Sequence, residues 1–147
     1  DVVLDAQPDV LNHNTETVPR LYKLVRPRAE LNRSLDILRR SASRPNPPIV
    51  KSGIMVGLGE STEEIHDVMR QIVESGCQIL TIGQYLSPST EHLPVVRYYE
   101  PAEFQELKRI GENDIGFAHV EAGPLVRSSY HAFDQVQKME ARIGISN

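Results

Sequence analysis

The chain has 147 residues, of which 39% are hydrophobic and 24% are charged, a balance typical of one globular domain. Its 16 basic and 20 acidic residues give a net charge of −4, which argues against nucleic acid as a partner. No apolar run reaches the length of a membrane span, which argues against a membrane partner, and the single cysteine, Cys77, excludes a disulfide framework and suits a reducing compartment.

The first predicted elements are a short strand and two helices. Val10 and Leu11 form the apolar body of a strand within PDVLNHN. A helix is predicted over 16–25, because apolar residues recur there at helical spacing and Pro19 falls in the first turn, where proline is tolerated. A second helix is predicted over 29–43, where leucines recur at the same spacing.

The middle of the chain repeats this alternation. A strand over 49–57 precedes a helix whose start is marked by Ser61 and Glu64, which form a capping box, and Gly76 is a good C-terminal stop for that helix. The nearly continuous apolar run over 78–83 is typical of a parallel strand buried on both faces.

A long polar loop over 84–100 opens the last third of the chain, and loops of this length in compact domains are commonly functional. Pro101 begins a predicted helix over 101–113, a fourth strand follows over 117–123, and a terminal helix is predicted over 130–144.

Strands that alternate with helices predict an α/β fold with a parallel sheet and right-handed crossovers. Four strands would leave two open edges, and the sequence begins at Asp1 inside an apolar stretch. We therefore expect further strands on the N-terminal side. The whole chain, 1–147, is interpreted as a single partial domain, in which 123–147 holds a C-terminal motif and the terminal helix.

Polar clusters follow all four predicted strands. Ligands of α/β folds bind beyond the carboxyl ends of the strands, so these clusters predict a binding site there. In chain order the clusters are NHNTE, GLGES, GQYLSPS and GPLVRSSYH.

Three of these clusters also have a simpler interpretation. Asn14 and Thr15 are natural N-caps, the glycines after the second strand fit a tight turn, and Ser128 or Ser129 would cap the last helix. The RSSYH run is compatible with a nucleophile, with anion binding or with metal ligation, although no G-x-S-x-G motif accompanies it. Cys77 lies at the far end of its strand from the predicted site and is interpreted as an apolar filler.

Five segments of the chain carry a resemblance to a known family: DVLNHNTETVPRLYKLVRP, RSLDIL, KSGIMVGLGES, LTIGQYLSPSTEHLPVVRYYEPAEF and GPLVRSSYHA. Together they closely resemble the C-terminal half of the lipoyl synthase family. The resemblance implies a partial (β/α)6 radical S-adenosylmethionine barrel, open at its N-terminal edge. It also implies the activity of that family, which inserts two sulfur atoms, at C6 and C8, into an octanoyl group carried on a protein.

The resemblance also implies roles for individual residues. Ser129 resembles the non-cysteine ligand of an auxiliary iron–sulfur cluster, and Arg127 and His131 would act catalytically beside it. Two stretches resemble the S-adenosylmethionine site, and Lys51 on the adjoining strand could contribute to it. The expected cofactor-binding residues are Asn12, Asn14, Glu16, Ser52, Gly57, Gly59 and Glu60.

The chain lacks the cysteine triplets with which the family holds its two 4Fe-4S clusters. The resemblance therefore implies that these ligands come from a missing N-terminal half and that this chain alone is inactive. It also implies an octanoylated lipoyl carrier domain as partner, either a lipoyl domain of 2-oxoacid dehydrogenases or the glycine cleavage H protein. The compartment would be the bacterial cytoplasm or, in a eukaryote, the mitochondrion.

Two alternatives remain open at this point. The first is a non-catalytic half-barrel or split subunit that binds S-adenosylmethionine, a nucleoside or a partner chain. The second is a serine hydrolase, which would make Ser129 reactive toward a fluorophosphonate.

Overall fold

The fold is built on one sheet of four parallel strands, which confirms the predicted α/β class. The computed structural model describes residues 9–25 and 30–126. The strands lie side by side in chain order, and every neighbouring pair is parallel. They are β1 (Val10–Asn12), β2 (Ile49–Val56), β3 (Ile79–Gln84) and β4 (His119–Gly123).

Helices fill the connections between the strands, as the periodicity predicts. The helix predicted over 16–25 is partly wrong, because helical geometry begins only at Pro19 and Glu16 instead forms a bridge to Ile54 of β2. A 3-10 turn at Pro19–Leu21 continues into the single-turn helix α1 (Tyr22–Val25), and the longer helices are α2 (Leu31–Ala42), α3 (Thr62–Glu74) and α4 (Pro101–Arg109). The helix predicted over 130–144 lies outside the described residues.

The predicted helix over 101–113 is partly wrong, because the α-helical geometry ends at Arg109 and a π-helix runs over Ile110–Ile115. Gly111 within it is buried against α3 and β4. A Cβ there would lie only 2.8 Å from Val120 Cγ2 and 3.0 Å from Met69 Cε. Glycine at this position therefore allows a closer approach of the three elements than a side chain would.

Helix α3 shows why the sequence signals were reliable. The Glu64 N–H donates to Ser61 Oγ at 3.1 Å and the Ser61 N–H donates to Glu64 Oε1 at 2.9 Å, the two bonds of a capping box. Gly76 follows the helix with a φ of 97°, a conformation that glycine adopts without strain. The face of α3 that packs on the sheet buries Ile65, Val68, Met69 and Ile72.

The two faces of the sheet differ in chemistry. Side chains alternate between faces along a strand, and residues in register share a face. The helix-covered face is apolar and belongs to the main hydrophobic core, with Val50, Ile54, Leu80, Ile82 and Val120. The opposite face also carries the apolar residues Met55 and Ile79, but it is mainly polar, with Asn12, Lys51, Thr81, His119 and Glu121. We call this second face the concave face.

An ion pair covers the open edge of β4. The Lys108 ammonium contacts the Glu112 carboxylate at 2.7 Å and also donates to the carbonyl of Val120 at 2.6 Å. Glu112 in turn accepts from the Val120 N–H at 2.9 Å. Both edge groups of Val120 are thus satisfied, which removes a template for pairing with another strand. In the described part of the chain no helix has the length and apolar character that crossing a membrane requires.

Candidate functional site

A bulge at the end of β1 shapes the candidate site. Asn12 pairs with Lys51, and Glu16 forms a bridge to Ile54. The segment that follows β1 therefore contains one residue more than the stretch of β2 that it pairs with. The N–H groups of Thr15 and Glu16 both donate to the carbonyl of Gly53, at 3.1 Å each. This is the pattern of a β-bulge, which redirects side chains and is common beside active sites.

Glu16 carries the strain of this bulge. Its φ is 74°, the sole positive value among the non-glycine residues in the described ranges. Glutamate in this region of conformational space is uncommon and costs about 1–3 kcal/mol. A residue held in such a conformation is a candidate for function, in agreement with the prediction from the NHNTE cluster.

A cavity of about 140 Å³ opens where the parallel strands end. The cavity lies at the edge of the sheet where the polar clusters predict a binding site, and binding there stays a prediction. Gly83 contributes by having no side chain, because a Cβ there would collide with the carbonyl of Val126. Within the described residues the cavity is lined by Asn14, Glu16, Gly53, Ile54, Met55, Thr81, Gly83, Gln84 and Val126.

Asn14 has an unsatisfied acceptor at this cavity. Its Oδ1 atom is buried and has no hydrogen-bond partner among the described residues. Buried polar atoms are nearly always bonded, so an exception in a cavity wall points to a ligand that donates there. The capping interpretation of Asn14 and Thr15 is wrong, because the N-cap of the following 3-10 turn is Val18, and the Thr15 hydroxyl contacts Ser52 at 3.2 Å.

The turn after β2 is organised by Glu60. Its carboxylate accepts from the N–H of Gly57 at 3.1 Å and from the N–H of Leu58 at 3.0 Å. Gly57 and Gly59 have φ values of 105° and 104°, which favour glycine. Glu60 is only 9% exposed, so its carboxylate fixes this glycine turn. The binding role expected of Glu60 stays a prediction, and its contacts show a positioning function.

Gln84 and Tyr99 attach the 85–100 loop to the glycine turn. The Gln84 amide donates to the carbonyl of Arg97 at 3.1 Å and its Oε1 accepts from the Tyr99 N–H at 2.9 Å. The Tyr99 hydroxyl donates to Glu60 at 2.9 Å. Arg97 lies 3.7 Å from the centre of the Tyr99 ring, a cation–π contact. The long loop is therefore held firmly beside the site.

Sequence reasoning did not identify Gln84 or Tyr99 as positioning residues. Gln84 ends a strand whose residues are all buried, and an amide directly after a mainly apolar run was the available signal. Tyr99 had no local signal, because its hydroxyl reaches Glu60 across 39 residues of chain.

The expected cofactor-binding residues are not all brought together. Ser52 belongs to the helix-covered face, where its hydroxyl donates to the carbonyl of His13 at 2.8 Å. Asn12 is exposed on the concave face at the end of β1. Neither residue lines the cavity, and the predicted residues Gly57, Gly59 and Glu60 do not line it either. The binding role of Ser52 stays a prediction that its position in the sheet does not favour.

The predicted residues Arg127, Ser129 and His131 lie outside the described residues. Cys77 is buried and free, and burial raises the pKa of its thiol to about 12, which agrees with a filler. The described ranges contain no cluster of three histidine, cysteine or acidic residues that could hold a metal ion.

Comparison with known proteins identifies relatives of this chain. No protein-family model matches the chain. The lipoyl synthase of Rubrobacter xylanophilus is 56% identical over 142 residues, which cover 97% of this chain and 43% of that protein. The lipoyl synthase of Bacillus cytotoxicus is 56% identical over 137 residues, which cover 92% of this chain and 45% of that protein. The lipoyl synthase of Koribacter versatilis is 54% identical over 134 residues, which cover 91% of this chain and 44% of that protein.

The chain spans about half the length of these curated relatives, while they match nearly all of the chain. The matched residues cover nearly the whole chain, which agrees with the resemblance found in the sequence. By sequence, the chain therefore belongs to the lipoyl synthase family.

Proposed function

We propose that this chain is the C-terminal part of a lipoyl synthase that inserts two sulfur atoms, at C6 and C8, into the octanoyl group of a lipoyl carrier domain. The observation that carries the proposal is the identity of 54–56% over 91–97% of the chain. The cavity at the carboxyl ends of the strands agrees with it, because ligands of α/β folds bind there.

S-adenosylmethionine fits the donors and acceptors of the cavity. Its adenine amino group and ribose hydroxyls are donors of the kind that the buried Oδ1 of Asn14 lacks. Gly57 and Gly59 do not line this cavity, and their expected contact with the ligand stays a prediction. A cavity of about 140 Å³ is smaller than the roughly 300–1,000 Å³ of most ligand sites. The rest of the protein would complete the site.

The iron–sulfur clusters would be held jointly by the two halves. When bound, S-adenosylmethionine and the two 4Fe-4S clusters supply the radical and the sulfur atoms. This chain would contribute Ser129 as a ligand, with Arg127 and His131 positioned beside it. A serine oxygen binds iron more weakly than a thiolate, which suits a cluster that gives up its sulfur. The cysteine ligands, and the strands that complete a (β/α)6 barrel, would come from the N-terminal half.

The activity is tested on the chain joined to its N-terminal half. With an octanoylated lipoyl domain or H protein as substrate, mass spectrometry should detect addition of two sulfur atoms. The Ser129→Ala variant should lose sulfur insertion, whereas Ser128→Ala, the matched neighbour, should retain it. S-adenosylmethionine binding without any sulfur insertion by the wild-type protein would favour a non-catalytic module instead.

The cofactor site is tested by affinity. Asn14→Ala should weaken binding of S-adenosylmethionine by roughly tenfold, the loss expected for about 1.4 kcal/mol of hydrogen bonding. Asn46→Ala is the matched control, because Asn46 is exposed and precedes β2 at the opposite end of the sheet. Equal affinities of the two variants, measured by isothermal titration calorimetry, would place the cofactor elsewhere.

A further inference from the structure

Exposed apolar side chains gather at one edge of the sheet. The described residues expose six large hydrophobic side chains, and five of them lie on segments that follow the carboxyl ends of strands. The sixth is Ile37 of α2. Exposed hydrophobic residues that are scattered singly are normal, whereas a group of them marks a surface that binds a partner. The five residues are 44% to 77% exposed, and we call them the apolar rim: Leu24, Leu86, Val96, Tyr98 and Leu125.

The apolar rim borders the candidate cavity. Leu24 lines a groove of about 510 Å³ beside the 85–100 loop, and the same groove is lined by Glu16 and Met55. Glu16 and Met55 also line the cavity, so the groove and the cavity adjoin. Leu125 directly precedes Val126, another residue of the cavity wall. A macromolecule that delivers a chemical group to the cavity from this edge would therefore contact the apolar rim.

Backbone hydrogen bonds hold the central part of the apolar rim in place. The Val96 N–H donates to the carbonyl of Gly57 at 2.8 Å. The N–H of Tyr99, the residue after Tyr98, donates to Gln84 Oε1 at 2.9 Å. The exposed side chains of Val96 and Tyr98 are therefore presented on an anchored segment, which lowers the entropy that their ordering on binding would cost. Tyrosine is also enriched at protein–protein interfaces.

The position of the apolar rim favours a separate protein over the N-terminal half as its occupant. Among the described strands β1 has a single neighbour, β2, and its free edge can accept further strands. Val96 and Tyr98 follow β3 and Leu125 follows β4, on the side of the sheet away from that edge. The net charge of −4 makes an anionic lipid surface an unfavourable partner. A protein surface with apolar groups of its own fits the apolar rim best.

We propose that the apolar rim docks the carrier domain on which the octanoyl group is presented. The inference rests on the proposed function, in which the acyl group arrives attached to a folded protein. The acyl group has to enter the molecule while the domain that bears it stays outside. The surface at the entrance therefore has to bind that domain, and exposed apolar side chains on an anchored segment suit this role. The complementary surface of the carrier domain would be apolar and would lie beside its modified lysine.

The test uses the chain joined to its N-terminal half and replaces two residues of the apolar rim. The double variant Val96→Gln/Tyr98→Gln keeps exposed side chains at both positions and removes their apolar character. Because both side chains are exposed, it should unfold at the same urea concentration as the wild type. Ile37→Gln is the matched control, because Ile37 is also an exposed hydrophobic residue and lies on α2, outside the apolar rim.

The first measurement is binding of an octanoylated lipoyl domain by isothermal titration calorimetry. The double variant should bind at least tenfold more weakly than the wild type, as expected when two residues at the centre of an interface are changed. Each single variant should show part of this loss, and Ile37→Gln should bind like the wild type.

The second measurement separates docking from chemistry. In the double variant the KM for the octanoylated lipoyl domain should rise by a factor similar to the loss of affinity, with kcat unchanged. A short peptide with an octanoyl-lysine bears no folded domain. The wild type and the double variant should therefore use this peptide with equal kcat/KM.

Three results would overturn the proposal. The first is equal affinity of the wild type and the double variant for the lipoyl domain. The second is an equal loss of kcat/KM with the short peptide, which would mean that these residues contact the acyl arm. The third, from analytical ultracentrifugation, is a wild-type dimer that the double variant abolishes, or separation of the two halves, expressed as separate chains, in the double variant only.

The proposed function can fail independently of the docking surface. A wild-type protein that binds the octanoylated lipoyl domain but inserts no sulfur would contradict the proposed function, and the affinities of the variants would still test the apolar rim. A wild-type protein that inserts sulfur while all variants bind the lipoyl domain equally would contradict only the docking surface.

Discussion

The Tyr99 hydroxyl donates a hydrogen bond of 2.9 Å to the Glu60 carboxylate, and this bond joins the 85–100 loop to the turn after β2. Glu60 also accepts from the N–H groups of Gly57 and Leu58. One buried carboxylate thus fixes both the glycine turn and the loop. A change in Tyr99 should therefore be felt at the candidate site without any change in the residues that line it.

Tyr99→Phe removes only the hydroxyl. The carboxylate of Glu60 keeps its backbone donors but loses one bond, so we expect the free energy of unfolding to fall by about 1–3 kcal/mol, as for hydrogen bonds to charged groups. Urea denaturation measures this loss. Tyr98→Phe is the matched control, because Tyr98 is 68% exposed and should change stability by less than about 0.5 kcal/mol. Similar losses of stability in the two variants would show that the hydrogen bond between Tyr99 and Glu60 does not stabilise the fold.

Gly57 and Gly59 offer a second matched pair. Both have positive φ values, so alanine at either position costs roughly 1–2 kcal/mol of backbone strain. At Gly57 a Cβ would in addition collide with the Gln84 amide and lie 2.7 Å from the carbonyl of Arg97, whereas at Gly59 the nearest atom is 3.7 Å away. Gly57→Ala should therefore lose about 1–3 kcal/mol more than Gly59→Ala. Thermal or urea unfolding of both variants measures the difference, and equal losses would show that the space around Gly57 is not limiting.

The fold was predictable because its signals are local. The capping box of Ser61 and Glu64, the stop at Gly76 and the apolar run of β3 each depend on residues close in sequence, and each is confirmed. The π-helix over Ile110–Ile115 was not predictable, since it reflects the packing of Gly111 against α3 and β4. Helical periodicity alone does not contain that contact.

The sequence predicts where the candidate site lies in the fold, but it predicts only some of the residues that line the cavity. Parallel strands place the polar clusters at one edge of the sheet, and Asn14 and Glu16 do line the cavity. The alternation of side chains along β2 shows that Ser52 and Lys51 lie on opposite faces of the sheet. Which of the two faces carries Ser52 depends on the packing of the strands, which the sequence does not contain. The buried amine of Lys51 and the 39-residue contact between Tyr99 and Glu60 depend on tertiary structure.

The pair of Arg20 and Glu64 should make stability depend on pH. The hydrogen bond from Arg20, at 2.9 Å, is the main cause that lowers the pKa of Glu64 to about 2, and the Ser61 N–H adds to it. Because an unfolded glutamate titrates near ~4.3, this contribution is fully present above that pH and is lost as pH falls toward 2.

The measurement compares wild type with Arg20→Gln in urea at several pH values. The difference in unfolding free energy should be constant between pH 6 and 8 and should shrink below about pH 4.5. Arg33→Gln is the control, because Arg33 and Glu30 are both exposed and their closest atoms are 4.0 Å apart. A difference for Arg20→Gln that persists at low pH would assign its effect to the bond with the Gly59 carbonyl.

Cys77 should be chemically silent in the folded protein. Its thiol is 2% exposed, donates to the carbonyl of Ile79 at 3.1 Å, and has a pKa raised by burial to about 12, so almost no thiolate exists near neutral pH. A thiol reagent such as DTNB should therefore react with Cys77 in urea and not under native conditions. Cys77→Ala should leave the iron content of the complete protein unchanged while lowering its stability by about 1–2 kcal/mol through the lost packing. Rapid native labelling, or loss of iron in Cys77→Ala, would show that this cysteine is accessible and able to bind metal.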